Sequence, residues 1–171
     1  MPPEGMQAVP SLIGGGEMGQ RVRDSDWSAT PLGAFSDWPQ SLRSALSLVL
    51  NSKGIGALCW GPEQWLLYND AYGAALGDRH PLAFGRPMPE VLTDIAPVLG
   101  LQVAEVLTTG QGFAIENLAM LMRRHGQDEK TIWTYSLSPV QRESEGFAGV
   151  LLLATSGLPQ RAPSRSTSGA A

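Results

Sequence analysis

The sequence predicts an α+β domain in which a five-stranded antiparallel sheet has helices on one face and a leader helix at its N-terminal end. Five strand-length segments rich in bulky apolar residues fall into two groups, a pair near residue 60 and three after residue 112. Segments with helical periodicity precede the first group and separate the two groups. Hairpins and one crossover can connect such strands, which favours antiparallel pairing.

Length and composition set the domain organisation. The 171 residues allow one domain with a hydrophobic core. The composition, with 43% hydrophobic and 16% charged residues, is typical of a folded protein. Both ends are rich in Gly, Pro and Ser and lack periodicity. We therefore expect a flexible arm over 1–22, the domain over 23–156 and a disordered tail over 157–171.

Charge and cysteine content exclude several classes of function. A net charge of −4 leaves no extended basic surface, so we expect no nucleic-acid partner. Cys59 is the single cysteine, which rules out an internal disulfide and a cysteine-based zinc site and suggests a reducing, cytoplasmic location. No window reaches the roughly 18 apolar residues of a membrane span, so membrane insertion is not expected.

The first regular element is a leader helix. Ser36 or Asp37 can cap it, Pro39 suits its first turn, and it should run to about Asn51. Its apolar residues recur at helical spacing and predict a buried stripe, formed by Leu42, Ala45, Leu46, Val49 and Leu50.

A β-hairpin and a capped helix follow. GIGALCW and QWLLYN flank a Gly-Pro turn and predict the two strands. The apolar run ends abruptly at Asn69-Asp70, where either side chain can accept hydrogen bonds from the free N–H groups of a short helix, AYGAAL, that Gly77 ends.

The second half begins with helix and ends with strands. Helix breakers crowd residues 78–93, and a longer helix is predicted after Thr93 or Asp94, ending at Gly110. Its predicted apolar face consists of Ile95, Val98, Leu99, Val103, Val106 and Leu107. Strands are predicted over 113–122, 131–140 and 147–155, separated by the polar connections RRHGQDEK and QRESEG.

Several blocks resemble the PAS sensor domains found at the N-terminus of bacterial sensor and hybrid histidine kinases. DWSATPLGAFSDWPQSLRSALSLVLNS, at 26–52, is similar to the leader helix of that subfamily. WGPEQWLLYNDAYGAALGDRHPLAFGRP, at 60–87, is similar to its second strand and the helices after it, and GGEMG at 15–19 also matches. The resemblance implies a PAS fold.

The resemblance implies a sensory signal-transduction module that binds a small ligand or a partner protein, relays a conformational change and acts as a homodimer. It implies no enzymatic activity, and its partners would be a histidine kinase of a two-component system or another PAS-containing protein. Two alternatives stay open: a ligand-free interaction module docking on a separate histidine kinase, and a small α+β enzyme with a cone-like pocket. The enzyme would need an Asp, Glu or His projecting into its cavity.

Neither flavin nor haem is expected, and no metal. The blue-light LOV subfamily forms its flavin adduct through a cysteine on a helix, whereas Cys59 falls in a predicted strand and suits a buried small hydrophobe. Haem-binding PAS domains place their histidine on the long helix, and residues 95–109 contain none. His80 and His125 fall in loops, without a cluster at metal-ligand spacing.

Five aromatic residues are the candidate ligand contacts, and no catalytic residue is predicted. They fall on elements that the resemblance places around the sheet: Trp60, Tyr68, Tyr72, Trp133 and Tyr135. Each combines a large apolar ring with a polar tip, as small-molecule sites usually require, although buried aromatic residues more often serve core packing than ligand contact.

Overall fold

A computed structural model describes residues 11–157. Its α-helices are α1 (Gly16–Asp24), α2 (Gln40–Asn51), α3 (Asp70–Leu76), α4 (Met88–Val91) and α5 (Ala96–Thr109). Its strands are β1 (Ile55–Trp60), β2 (Trp65–Tyr68), β3 (Phe113–Arg124), β4 (Gln127–Gln141) and β5 (Phe147–Gly157). The strands form one antiparallel sheet in the order β2-β1-β5-β4-β3, so the predicted α+β architecture is confirmed.

The leader helix α2 packs on the sheet through the predicted stripe. Leu42, Leu46, Val49 and Leu50 are all buried. Val49 lies within 3.6 Å of the position that a Cβ on Gly56 would occupy, and Leu153 borders the same position. Because successive residues of a strand alternate between faces, α2 covers the face of β1 that carries Gly56, which we call the outer face. The helix begins at Gln40, after a 3-10 turn at Phe35–Asp37, so neither Ser36 nor Asp37 caps it.

Helices α3 and α5 lie on the opposite, inner face. The predicted start and stop of α3 are confirmed, since the Asn69 side chain accepts from the Tyr72 N–H and Gly77 follows the last residue with φ 67°. Helix α5 ends at Gly110 as predicted, but Asp94 does not cap it. The Asp94 carboxylate instead accepts from the Arg79 side chain and from the Arg123 N–H.

The expectation of a flexible arm is wrong for residues 16–22, which belong to α1. Met18 and Val22 are buried against the core. Asp70 explains the docking, because its carboxylate accepts from the first N–H groups of α1, those of Glu17 at 3.1 Å and Met18 at 2.9 Å. The glycines at 14–16 all have positive φ and form the entry to this helix. The first ten residues of the predicted arm and residues 158–171 of the predicted tail lie outside the described residues.

The long polar connection predicted between β3 and β4 is instead a two-residue turn. Both strands continue to Arg124 and Gln127, which pair across the hairpin. His125 and Gly126 have φ values of 52° and 74°, and positive φ at both positions is what a type I′ turn requires. The charged residues therefore belong to a long hairpin whose tip reaches past the sheet.

The side chain of Asn69 is completely buried and joins four parts of the chain. Its Oδ1 accepts from the N–H groups of Gly56 at 3.2 Å and Tyr72 at 3.0 Å. Its Nδ2 donates to the carbonyls of Val49, Ser52 and Gly54. The amide thus connects the end of α2, the start of β1, the end of β2 and the first turn of α3.

We expect Asn69→Ala to destabilise the domain far more than Asp70→Ala. The first change leaves several buried backbone groups without partners, at a cost of about 3 kcal/mol or more. The second removes only the cap of α1, typically worth about 1 kcal/mol. Urea unfolding followed by circular dichroism measures both changes.

Gln111→Ala, which truncates an exposed amide, is the control and should change the unfolding free energy by less than about 0.5 kcal/mol. Equal effects of the Asn69 and Asp70 variants would contradict the central role of Asn69.

Candidate functional site

A small apolar cavity lies between the inner face of the sheet and helices α3 and α5, with a volume of about 40 Å³. This is space for a few water-sized groups. Its lining comes from five elements and the residue before α5: Tyr72, Ala75, Leu76, Ile95, Leu99, Met120, Met122, Trp133, Tyr135, Leu152 and Ala154. Large apolar rings on the sheet and aliphatic side chains on the helices make it a site for apolar groups.

Three of the five aromatic candidates meet in this cavity. Trp133 and Tyr135 alternate on β4, so both point to the inner face, and Tyr72 approaches from α3. The polar tips of the two β4 residues already have partners. The Trp133 Nε1–H donates to Thr131 Oγ1 at 2.9 Å and Met122 Sδ at 3.1 Å, and the Tyr135 hydroxyl donates to Gln102 Oε1. These two side chains therefore offer the cavity mainly their ring surfaces.

Tyr72 is buried, and burial raises the pKa of its hydroxyl above the usual range, so it stays protonated at any physiological pH. Nearby charges act on the same hydroxyl: Arg79 lowers its pKa and Asp94 raises it. An ion pair between these two residues thus stands close to the helical wall of the cavity.

Tyr68 and Trp60 do not line the cavity. The Tyr68 ring is fully buried behind Tyr72, with 5.1 Å between ring centroids, and its hydroxyl hydrogen-bonds His80 Nδ1 at 2.8 Å. Trp60 lies at the end of β1 against Gly149, where no larger residue would fit. Packing accounts for both side chains.

The tip of the β3–β4 hairpin is held to the helical layer next to the site. The Arg123 N–H donates to Asp94 Oδ2 at 2.8 Å, and the His125 N–H donates to Asp78 Oδ1 at 2.9 Å. The hydrogen bond from the His125 N–H lowers the pKa of Asp78. For Asp94, partial burial is the largest single effect and raises the pKa, but the hydrogen bonds from Arg123 and Arg79 together outweigh it, so the pKa of Asp94 is also lowered. Two carboxylates on the helical layer therefore hold the hairpin tip through its backbone.

The outer face of the sheet beyond α2 carries exposed apolar side chains. Leu121, Ile132 and Leu153 are 66%, 39% and 44% exposed. They lie on β3, β4 and β5, between the hydroxyl groups of Thr134, Ser136 and Thr155. Contiguous apolar patches mark contact surfaces, whereas single exposed apolar side chains are common on protein surfaces.

Residues 11–157 contain no group of three or more His, Cys, Asp or Glu side chains arranged to hold a metal ion. In the same span, none of the helices combines the length and apolar character needed to cross a bilayer.

Known structures share this architecture. The LOV protein of Rhodobacter sphaeroides superposes with a TM-score of 0.54 at 15% identity, over 77% of this chain and 73% of that chain. VqmA of Vibrio cholerae, in a complex with ligand and DNA, superposes with a TM-score of 0.50 at 18% identity. That match covers 66% of this chain and 50% of the VqmA chain.

No family model and no curated protein sequence matches the chain. The chain has the fold of PAS and LOV domains, as the resemblance implies. At these identities the likeness establishes the fold, and function must be argued from the site.

Cys59 should be unreactive in the native protein. It is 1% exposed, and burial raises the pKa of its thiol to about 12, so almost none of the reactive thiolate exists at pH 8. We expect Ellman's reagent to label it only after unfolding in guanidinium chloride. Labelling of the folded protein within minutes would show that the β1 region opens readily.

Proposed function

We propose that this domain is a sensory signalling module whose inner cavity binds a small, mainly apolar ligand. The observation that carries the proposal is the cavity itself, which Tyr72, Trp133 and Tyr135 line with ring surfaces. We further propose that the ligand acts without flavin or haem. Neither Cys59 nor a histidine is among the cavity's lining residues, so the residue types that would form a flavin adduct or ligate haem are not at this site.

Asn69 supplies a physical route from the cavity to the leader helix. Its Oδ1 accepts from the N–H of the cavity residue Tyr72, while its Nδ2 donates to carbonyls at the end of α2. A ligand that moves α3 alters the hydrogen bonding of the α2 C-terminus. A signal then consists of a population shift between two packings of α2, limited by the ligand's difference in affinity for them.

The lining favours binding over catalysis. Among the described residues, those that surround the cavity include no Asp, Glu, His, Lys or Cys. General acid–base catalysis uses such a group or a tyrosine whose pKa lies near neutral pH, and burial raises the pKa of both lining tyrosines, Tyr72 and Tyr135. The alternative of a small enzyme with a cone-like pocket thus has little support from this site.

The outer face supports a second function, protein interaction. Leu121, Ile132 and Leu153 are exposed apolar side chains on the outer face of three neighbouring strands, and Leu153 lies beside the leader helix at the Gly56 position. We propose that a second copy of the chain covers it, giving a homodimer. In this proposal the domain passes its signal to a histidine kinase or to another PAS-containing protein, the partners that the sequence resemblance implies.

Xenon should enter the cavity and shift the methyl resonances of Met120 and Met122 in the ¹³C-methyl-methionine spectrum. Met18 and Met88 lie in the core away from the cavity and should not shift. Ala75→Leu fills part of the cavity and should remove the response, whereas Ala104→Leu, on the exposed face of α5, should keep it. Native mass spectrometry of protein from its own cells then identifies the natural ligand.

Two results would contradict the binding proposal. One is the absence of xenon shifts at Met120 and Met122, and the other is an equal response in the Ala75 variant.

Leu153→Asp should dissociate the dimer without unfolding the domain, because this side chain is 44% exposed in the single chain. Sedimentation equilibrium measures the change, which we expect to weaken self-association at least tenfold. Leu101→Asp, at a 71% exposed position on α5, is the matched control. If both variants and the parent protein are equally monomeric, the homodimer proposal fails.

A further inference from the structure

Buried guanidinium nitrogens without acceptors lie outside the cavity lining, around the C-terminal end of α3. Arg79 pairs with Asp94 through Nη1, and its Nε and Nη2 are buried without a hydrogen-bond partner among the described residues. Arg124 pairs with Glu129 at 3.1 Å, and its Nε is likewise buried and without a partner there. The two side chains are only 18% and 15% exposed.

Both arginines lie beside walls of the cavity. Leu76 lines the cavity three residues before Arg79, and Asp94 directly precedes the lining residue Ile95. Arg124 follows the lining residue Met122 by two positions on β3. Its Nε lies 3.8 Å from the position that a Cβ on Gly77 would occupy, so Arg124 covers the C-terminal end of α3.

This concentration of unpaired donors requires an explanation. Five buried side-chain polar atoms in the described residues lack a partner, and three of them belong to Arg79 and Arg124. Folded proteins rarely leave buried N–H groups unpaired, and donors on charged groups are the most costly to desolvate. A molecule with acceptor atoms that reached these donors would remove that cost.

We infer that the ligand of this cavity carries an acceptor oxygen, a carbonyl or a carboxylate, which Arg79 and Arg124 bind while its apolar body packs against the aromatic walls. The inference rests on the proposed binding function. Asp94 and Glu129 already balance the two positive charges, so a neutral carbonyl oxygen is sufficient. Guanidinium groups only donate hydrogen bonds, so a ligand that offers only donors gains nothing from them.

The tip of the β3–β4 hairpin carries Arg124, one of these donors. Its backbone is held to the helical layer by the hydrogen bonds from Arg123 and His125 to Asp94 and Asp78. The cavity volume of about 40 Å³ is too small for a ring-sized ligand. A ring-sized ligand therefore requires the cavity to widen.

The test compares cyclopentanone with cyclopentane, two rings that differ by one acceptor oxygen, in titrations followed at the methyl groups of Met120 and Met122. Cyclopentane is the less soluble in water, so burial alone favours it. We expect cyclopentanone to bind at least tenfold more tightly. Arg79→Leu and Arg124→Leu should reduce that preference to threefold or less.

Arg123→Leu is the matched control, because it removes the same charge from an exposed position on the same hairpin and should keep the preference. Unchanged methyl resonances of Met18 and Met88 report that a variant is folded. If one arginine variant fails to fold, the test compares the ligand preference of the parent protein with that of the other variant.

Equal affinity for the two rings, or a preference that survives both arginine substitutions, overturns this inference and leaves the binding function intact. If neither ring shifts the Met120 and Met122 methyl groups while xenon does, the inference is also overturned, and the binding function is confined to smaller ligands. If xenon fails as well, both proposals fall.

Discussion

The rest of the structure depends on the hydrogen bonds of one buried amide, that of Asn69. The chain leaves β2 and enters α3 at this residue, so free N–H groups of the helix and free carbonyls from the end of α2 meet in a place that water does not reach. An amide offers both an acceptor and two donors, and here it uses all of them. A carboxylate could not donate and an apolar side chain could do neither. The geometry of the cavity follows from this junction, because Tyr72 enters the cavity from the first turn that Asn69 caps.

Patterns within one element predicted most of the fold, and contacts between distant segments account for what was missed. The apolar stripe of α2, the cap at Asn69 and the stop at Gly77 depend on residues a few positions apart, and all three were predicted. Helix α1 was not, because its sequence is rich in glycine and its first turn is satisfied by Asp70, more than 50 positions away. The sequence does not reveal the turn at His125–Gly126, because the charged residues around it are typical of a loop, whereas in the structure they continue both strands of a hairpin.

The same distinction applies to the cavity. Alternation along β4 placed Trp133 and Tyr135 on one face, and the resemblance pointed to Tyr72. Met120 and Met122 were missed because a bulge after Ile115, where Asn117 has φ 56°, shifts the register by one residue and changes which side chains of β3 face inward. Pairing β5 against β4 would have identified Leu152 and Ala154. No local pattern brings Arg124 next to Gly77, since that contact arises only when the hairpin tip folds over the end of α3.

The position of β5 has a consequence for how the chain acquires its fold during synthesis. This strand lies between β1 and β4 in the middle of the sheet, yet it is the last of the five to leave the ribosome. The β1–β2 and β3–β4 hairpins can form early from local contacts. Until β5 is synthesised, however, the edges of β1 and β4 that pair with it have no partner strand. Closing the sheet pairs Ile55 with Ala154, a separation that makes assembly slow relative to hairpin formation. Nascent chains halted before β5 thus expose two strand edges at once, and such edges favour aggregation.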